Sequence, residues 1–171
     1  SASISFVDGT DGVVLDDTYK SYIFKFINIH PATDTPHFTF QASINNGSGY
    51  GVTATTTFFD SAHAEADNNQ GLNYQTGFDQ AQSTNFINIT REQGNGNDES
   101  VVGTLQIFNP SSNTFVKHFI ARTQHYYYGD LSFDVYTAGY FNDGANDIDA
   151  IKFQFSSGNI DDGIIKLYGV K

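Results

Sequence analysis

Short runs of alternating apolar and polar residues constrain the fold of this chain more than any other feature. Residues 38–44 (FTFQASI) and 151–155 (IKFQF) alternate strictly. A period of two places every second side chain on the same side of an extended strand, whereas a helix needs a period of 3.6. Clusters of Asn, Asp and Gly, such as residues 45–49 (NNGSG) and 94–98 (GNGND), end the runs with residues that suit turns. The pattern predicts short strands joined by turns.

The runs predict about nine to eleven strands. Residues 22–27 (YIFKFI) are apolar at nearly every position and predict a strand buried on both faces, whereas residues 38–44 predict one buried on a single face with Phe40 in the core. Phe153 is the matching core residue of the later run. Residues 61–84 lack the alternation and predict an irregular excursion, with one short strand near residues 72–74.

Polar loops, and not helical crossovers, connect these runs, so the sheets should be antiparallel. We therefore predict an all-β fold, an antiparallel β-sandwich that is jelly-roll-like. We find no repeat, no linker and no shift in composition, and 171 residues suit one domain, so a single domain over residues 1–171 is expected.

Composition removes several classes of function. Eight Lys and Arg against 19 Asp and Glu give a net charge of −11, which disfavours nucleic acid and anionic membrane as partners. No cysteine is present, so a disulfide, a thiolate zinc site and a thiol nucleophile are excluded. No apolar run approaches the roughly 20 residues of a membrane span.

One acidic loop is a candidate calcium site. Asp143, Asp147 and Asp149 offer three carboxylates within seven residues, together with main-chain carbonyls. Their spacing is not that of an EF-hand, and Asp and Asn also start turns without any ion. The five histidines include no closely spaced pair, so they do not suggest a zinc site. No other cofactor is expected.

No catalytic residue is predicted. The sequence has no nucleophile elbow and no phosphate-binding loop, and nothing in it assembles a nucleophile, a base and an orienting group. Residues 125–128 (HYYY) should place at least one tyrosine on the outside, because neighbouring side chains on a strand point to opposite faces. Tyr126 and Tyr128 are therefore candidate exposed aromatics, which can stack on a sugar or anchor a subunit contact. The alternative is that these tyrosines are core residues whose hydroxyls reach the rim.

Four segments resemble β-rich virion structural proteins of marine tailed bacteriophages. They are residues 22–34 (YIFKFINIHPATD), 38–43 (FTFQAS), 105–120 (LQIFNPSSNTFVKHFI) and 148–170 (IDAIKFQFSSGNIDDGIIKLYGV). The most specific pieces are residues 109–112 (NPSS) before a strand and 155–160 (FSSGNI) before a closing LYG at 167–169. The shared segments look like scaffold, so the resemblance implies no functional residue.

The resemblance implies a non-enzymatic protein located in the virion. Its partners would be the major capsid protein or other virion proteins, and we expect it to be a homo-oligomer, with a trimer as the first expectation. The short length favours a capsid decoration protein or a short head appendage over a complete tail fibre. Two other functions stay open. One is a receptor- or carbohydrate-binding tip module of a tail fibre, which would bind a cell-surface glycan, and the other is a polysaccharide-degrading tailspike domain.

Overall fold

Twelve strands form this protein, and no helix is present. The structure, a computed structural model, describes residues 1–171. The strands are β1 (Ile4–Val7), β2 (Ser21–Pro31), β3 (Phe38–Ser43), β4 (Ala54–Ala64), β5 (Gln70–Tyr74), β6 (Gln80–Ser83), β7 (Ile87–Asn88), β8 (Val101–Phe108), β9 (Lys117–Tyr127), β10 (Leu131–Phe141), β11 (Ala150–Phe155) and β12 (Ile160–Val170). The chain therefore has no helix that could span a membrane.

The strands make two packed antiparallel sheets. The small sheet has the order β1-β11-β3-β7, and the large sheet has the order β12-β2-β8-β9-β10-β4-β5, with β6 also paired to β4. Every strand pair is antiparallel. The first strands pair with the last, since β1 lies beside β11 and β2 beside β12. The predicted antiparallel β-sandwich is confirmed, with twelve strands where nine to eleven were expected.

The space between the sheets is filled largely by phenylalanine. Phe153, on β11 of the small sheet, is fully buried, and its ring centroid lies 5.1 Å from that of Phe24 and 5.3 Å from that of Phe26 on the facing sheet. Phe40 is also fully buried, with its ring 5.2 Å from Phe119 in an edge-to-face contact. Such aromatic pairs add to the stability that burial provides. The prediction that Phe40 and Phe153 are core residues is confirmed.

The structure reverses the predicted burial of two strands. Strand β2 is buried on one face only, because its outward residues Lys25 and Ile27 are exposed. Strand β3 is buried on both faces, and residues 84–85, just before β7, lie against the outward side chain of Gln41. Gln41 donates hydrogen bonds to the Thr84 and Asn85 carbonyls at 3.1 and 2.8 Å. Its polarity reflects a buried hydrogen-bonded position and not exposure to water.

The predicted irregular excursion is also corrected. Residues 61–84 contain the end of β4, all of β5 and all of β6. Only the short strand near residues 72–74 was foreseen, and it corresponds to β5. Strand β4 continues through residues 60–64 because it pairs with β10 along its whole length, from Ala54 opposite Phe141 to Ala64 opposite Leu131. Long-range pairing thus extends a strand whose sequence alone lacks alternation.

Candidate binding face

The outer face of the large sheet is the most apolar exposed surface of the protein. Nine of the thirteen exposed large apolar residues lie on it, so exposed apolar area is concentrated there: Ile27, Phe59, Leu72, Tyr74, Val102, Ile120, Ile164, Tyr168 and Val170. Leu72 and Tyr74 are the most exposed of these side chains, at 72% and 55%, and Ile120 is 53% exposed. Single exposed apolar side chains are ordinary, but a set of them on one face is typical of an interaction surface.

A row of aromatic side chains crosses one half of this outer face. The strand register places Tyr74, Phe59, Tyr136 and Arg122 side by side on four successive strands. The Phe59 and Tyr136 rings are parallel, with centroids 4.8 Å apart, and the Arg122 guanidinium lies 4.9 Å from the Tyr136 centroid. Arg122 also makes a two-pronged ion pair with Asp134, with distances of 3.0 and 2.8 Å. Both faces of the Tyr136 ring are therefore covered, by Phe59 and by Arg122, whereas Phe59 has one face stacked.

A shallow apolar trough lies beside this row. It has a volume of about 460 Å³ and is lined by side chains of β4, β9 and β10, including Thr57, Ile120 and Tyr140. Ala138 lies between Thr57 and Ile120 in the register, and its single methyl group lowers the surface there. Gly139 packs so closely on β4 that a Cβ atom would lie 2.4 Å from the Thr55 carbonyl oxygen. The trough can accept an apolar side chain from another molecule.

The acidic loop of the predicted calcium site contains a buried lysine. Lys117 is fully buried, and its ammonium group donates hydrogen bonds to the carbonyls of Asp143 and of Asn146, the latter at 2.6 Å. Burial lowers the pKa of Lys117, although Asp143 and Asp147 oppose that shift. Carbonyl oxygens of this kind are ligands that calcium uses in loops. The lysine thus supplies a positive charge where the sequence suggested a metal.

The three carboxylates of that loop are not brought together. Asp143 accepts hydrogen bonds from the Ala145 and Asn146 amides, both at 3.1 Å, and Asp149 accepts one from the Asn46 amide at 2.7 Å. Burial would raise the pKa of Asp143, but the hydrogen bonds from Asn146 and Ala145 outweigh it and hold the pKa below its ordinary value. No group of three or more His, Asp or Glu side chains in the chain is arranged to hold a metal ion. The turn interpretation accounts for these contacts, and calcium binding stays an untested prediction.

The two predicted tyrosines lie at one end of the large sheet, Tyr126 on the outer side of β9 and Tyr128 in the turn after it. Tyr128 is 49% exposed, whereas Tyr126 is partly covered. The Tyr126 hydroxyl lies 3.0 Å from a Glu65 carboxylate oxygen and 3.2 Å from one of Asp130, and these contacts, led by Glu65, raise the pKa of Tyr126. The intervening Tyr127 turns inward and packs on Phe133, with ring centroids 4.8 Å apart. Of the two candidates, Tyr128 offers the more exposed ring.

An acidic pocket at the sheet end holds a histidine with no free nitrogen. The pocket has a volume of about 500 Å³ and is lined by polar residues that include Glu99, Asp161 and Asp162. His30 contacts Asp161 through Nδ1 at 2.7 Å and the Gly96 carbonyl through Nε2 at 3.0 Å. Burial opposes a charge on the ring, but these hydrogen bonds outweigh it and raise the pKa of His30. Since both nitrogens are engaged, the geometry fits a structural contact better than a general base.

Sequence reasoning missed a buried polar cluster under β4. Asp60 is fully buried and lies 3.3 Å from Arg91, whose guanidinium also lies over the rings of Phe78 and Phe133 at 5.2 and 5.3 Å. His125 is buried against Phe133, with ring centroids 5.6 Å apart, and neither of its ring nitrogens has a hydrogen-bond partner. These residues meet only through long-range strand pairing, so no local pattern indicates the cluster.

Comparison of the chain with protein-family models, with curated proteins and with solved structures gave no match.

Proposed function

We propose that this protein is a non-catalytic structural protein of bacteriophage particles, which attaches to a neighbouring virion subunit through the outer face of its large sheet. Within the particle, decoration of the capsid surface or a short head appendage is the role that the resemblance implies. The concentration of exposed apolar side chains on this one face is the observation that supports attachment through it. The resemblance of the four sequence segments to virion proteins supports the location in the virion.

The charges of this face favour a partner with an acidic border. Lys25 and Lys166 lie directly opposite each other in the register of β2 and β12, and Arg122 lies on the same face. Asp134 balances the charge of Arg122, so the two lysines are the cations of this face without an ion-pair partner, in a chain with a net charge of −11. An apolar surface with carboxylates around it would fit both the trough and the lysines. We therefore assign the face to a capsid or other virion subunit with that chemistry.

The proposal of a non-catalytic role is supported by how the reactive side chains are used. His30 has both ring nitrogens in hydrogen bonds, and His125 is buried away from solvent. The carboxylate of Asp60 is likewise buried beside Arg91. These groups hold the fold together, and none of them presents a free base next to a nucleophile.

One observation favours the alternative of a receptor- or carbohydrate-binding tip. Tyr128 is 49% exposed beside a turn at the end of the large sheet, and an exposed tyrosine ring can stack on a sugar. One face of the Tyr128 ring packs against Tyr127, with ring centroids 4.5 Å apart, so a sugar would stack on its other face. A glycan site would therefore lie at the sheet end, away from the trough.

The proposal is tested by adding purified protein back to phage particles that were made without it. Bound copies are counted for the wild type, for Ile120→Asp in the trough and for Ile44→Asp as a control. Ile44 is also exposed but lies outside the large sheet, so its variant introduces the same charge elsewhere. We expect saturable binding of the wild type and of Ile44→Asp. Ile120→Asp should bind at least about tenfold more weakly, as for loss of an interface hot spot.

Two results would contradict this account. Wild-type protein that fails to bind particles refutes the virion role, and equal binding by Ile120→Asp refutes the assignment of the outer face. Binding to host glycans that is lost in Tyr128→Ala would instead support the receptor-binding alternative. Circular dichroism of each variant confirms that the sandwich is intact.

A further inference from the structure

Strand β12 leaves a long free edge on the large sheet. It is the end strand of that sheet and pairs only with β2. From Ile164 to Val170, no main-chain group bonds to any segment other than β2. Unpaired amide and carbonyl groups in a row are a template for pairing with another strand. This edge therefore offers main-chain donors and acceptors to a second strand.

The other edge strands of the two sheets are much shorter. Strand β7 has two residues, β1 has four and β5 has five, whereas β12 has eleven. Edge strands are commonly kept from pairing by shortness, by proline or by several charges. The part of β12 after Gly163 has no proline and one charged residue, Lys166. It is the one long edge without these protections.

The start of β12 limits where a second strand can pair. Gly163 has a φ of +115°, and the register with β2 shifts on both sides of Asp162. The Ser1 carbonyl accepts a hydrogen bond from the Ile160 amide and so covers that end. Two carboxylates, Asp161 and Asp162, are also exposed there. A regular free edge remains only over residues 164–170.

The residues of this edge are complementary to a second copy of themselves in one register. When two antiparallel copies are centred on Leu167, Lys166 lies opposite Tyr168 of the second copy, and Ile164 lies opposite Val170. Exposed apolar residues then meet exposed apolar residues, which stabilises a sheet. Within one chain Lys25 already lies over the Tyr168 ring, 5.5 Å from its centroid, so this ring accepts a cation. If the two copies were centred on Lys166 instead, their two Lys166 side chains would lie opposite each other, and like charges in that position destabilise pairing.

We infer that two copies of this chain join through antiparallel pairing of β12 with β12, about a two-fold axis at Leu167, so that their large sheets form one continuous sheet. In this register, residues directly opposite each other belong to the same face, so the outer faces of both copies lie on the same side of the continuous sheet. A shift of one residue would place the outer face of one copy beside the inner face of the other. The inference is independent of the proposed virion role. It specifies a pair and so differs from the trimer expected from the resemblance.

Cysteine cross-linking tests the register directly, because the chain has no cysteine of its own. At a two-fold axis the Cα atoms of the two residues 167 lie about 4.5–5.5 Å apart, within the range of a disulfide. The two residues 164 would be six positions out of register, or roughly 20 Å apart. Under mild oxidation we expect Leu167→Cys to form a covalent dimer and Ile164→Cys, the matched control on the same strand, to stay uncrosslinked.

Light scattering on the protein without added cysteine completes the test. The wild type should have twice the chain mass of 18.8 kDa. Tyr168→Lys should be monomeric, whereas Tyr74→Lys, which changes an exposed tyrosine on the opposite edge strand, should stay dimeric. A monomeric or trimeric wild type overturns the inference, as does a Tyr168→Lys protein that is still dimeric. Equal cross-linking at 164 and 167 overturns the register. Circular dichroism on both lysine variants separates loss of pairing from loss of folding.

Discussion

Acid should destabilise this protein through His125. The ring is fully buried against Phe133, and neither nitrogen has a hydrogen-bond partner. Burial lowers the pKa of His125 from 6.5 to about 3. The Arg91 backbone opposes that shift but does not reach hydrogen-bond geometry with either nitrogen, while the Arg91 and His37 charges add to it. The folded protein therefore holds this imidazole neutral.

The size of the effect follows from proton linkage. Below a pH of about 6.5 the unfolded chain binds a proton at His125 that the folded chain does not, so stability falls as the pH falls. Between pH values of about 7 and about 5, the loss is about 2 kcal/mol. The loss over this interval hardly depends on the folded pKa, provided that it lies well below 5. Stability should continue to fall with pH until the folded pKa is reached.

Urea unfolding of the wild type and of His125→Phe measures this contribution. Phenylalanine can keep the stacking on Phe133 while removing the titratable ring, so the variant should lose less stability on acidification. The difference between the two proteins should change by about 2 kcal/mol between pH values of about 7 and about 5. His118→Phe changes an exposed histidine on the outer side of the same strand, and it should follow the wild type. A difference between wild type and His125→Phe that does not vary with pH would refute a buried neutral imidazole.

Four further predictions concern the core, the acidic loop and the sheet end. Phe153→Ala should lower the free energy of unfolding by about 3–5 kcal/mol through lost burial and a cavity, and a loss under about 1 kcal/mol in urea titration would contradict the packing. Lys117→Met should lower stability in the same assay, because two partly buried carbonyls lose their donor, at about 1 kcal/mol each. Because Lys117 already bonds to the loop carbonyls, added calcium should leave the melting temperature of the wild type unchanged. A rise in melting temperature that Asp147→Asn abolishes would instead support the predicted calcium site. The raised pKa of His30 implies a stabilising contribution that is fully present below its unfolded value and is lost as pH rises through its folded value. Asp161→Asn should therefore cost more stability at a pH of about 6 than at about 9, and an equal cost would contradict the ion pair.

The fold class could be predicted because alternation and turn residues act locally. Residues 151–155 lie in β11 with Phe153 buried, as their pattern indicates. Burial of the second face of a strand is different, because it depends on which distant segment covers it. Gln41 looks like a solvent-facing residue in the sequence, yet residues 84–85 cover it. Lys25 and Ile27 of β2 face outward because nothing covers the large sheet.

The candidate binding face is harder to predict from the sequence than the fold. Ile120 and Phe59 lie far apart in sequence and share a face only through the pairing of β4, β9 and β10. The acidic loop at residues 143–149 suggests a calcium site because its carboxylates are close in sequence, but Lys117 enters the loop from a different strand. Alternation predicts the outer position of Tyr126 on β9, whereas Tyr128 lies in the turn after that strand. Local patterns thus located individual side chains, whereas the composition of each site depends on long-range register.

Cryo-electron microscopy of the intact phage particle tests the central claim most directly. The account predicts density for this twelve-stranded sandwich on the capsid lattice, with the outer face of the large sheet against a neighbouring subunit and Ile120 within the contact. Density for the sandwich at the fibre tips alone would move the protein to receptor binding. Particles without such density would contradict the account, as would a capsid-bound sandwich whose large sheet faces solvent.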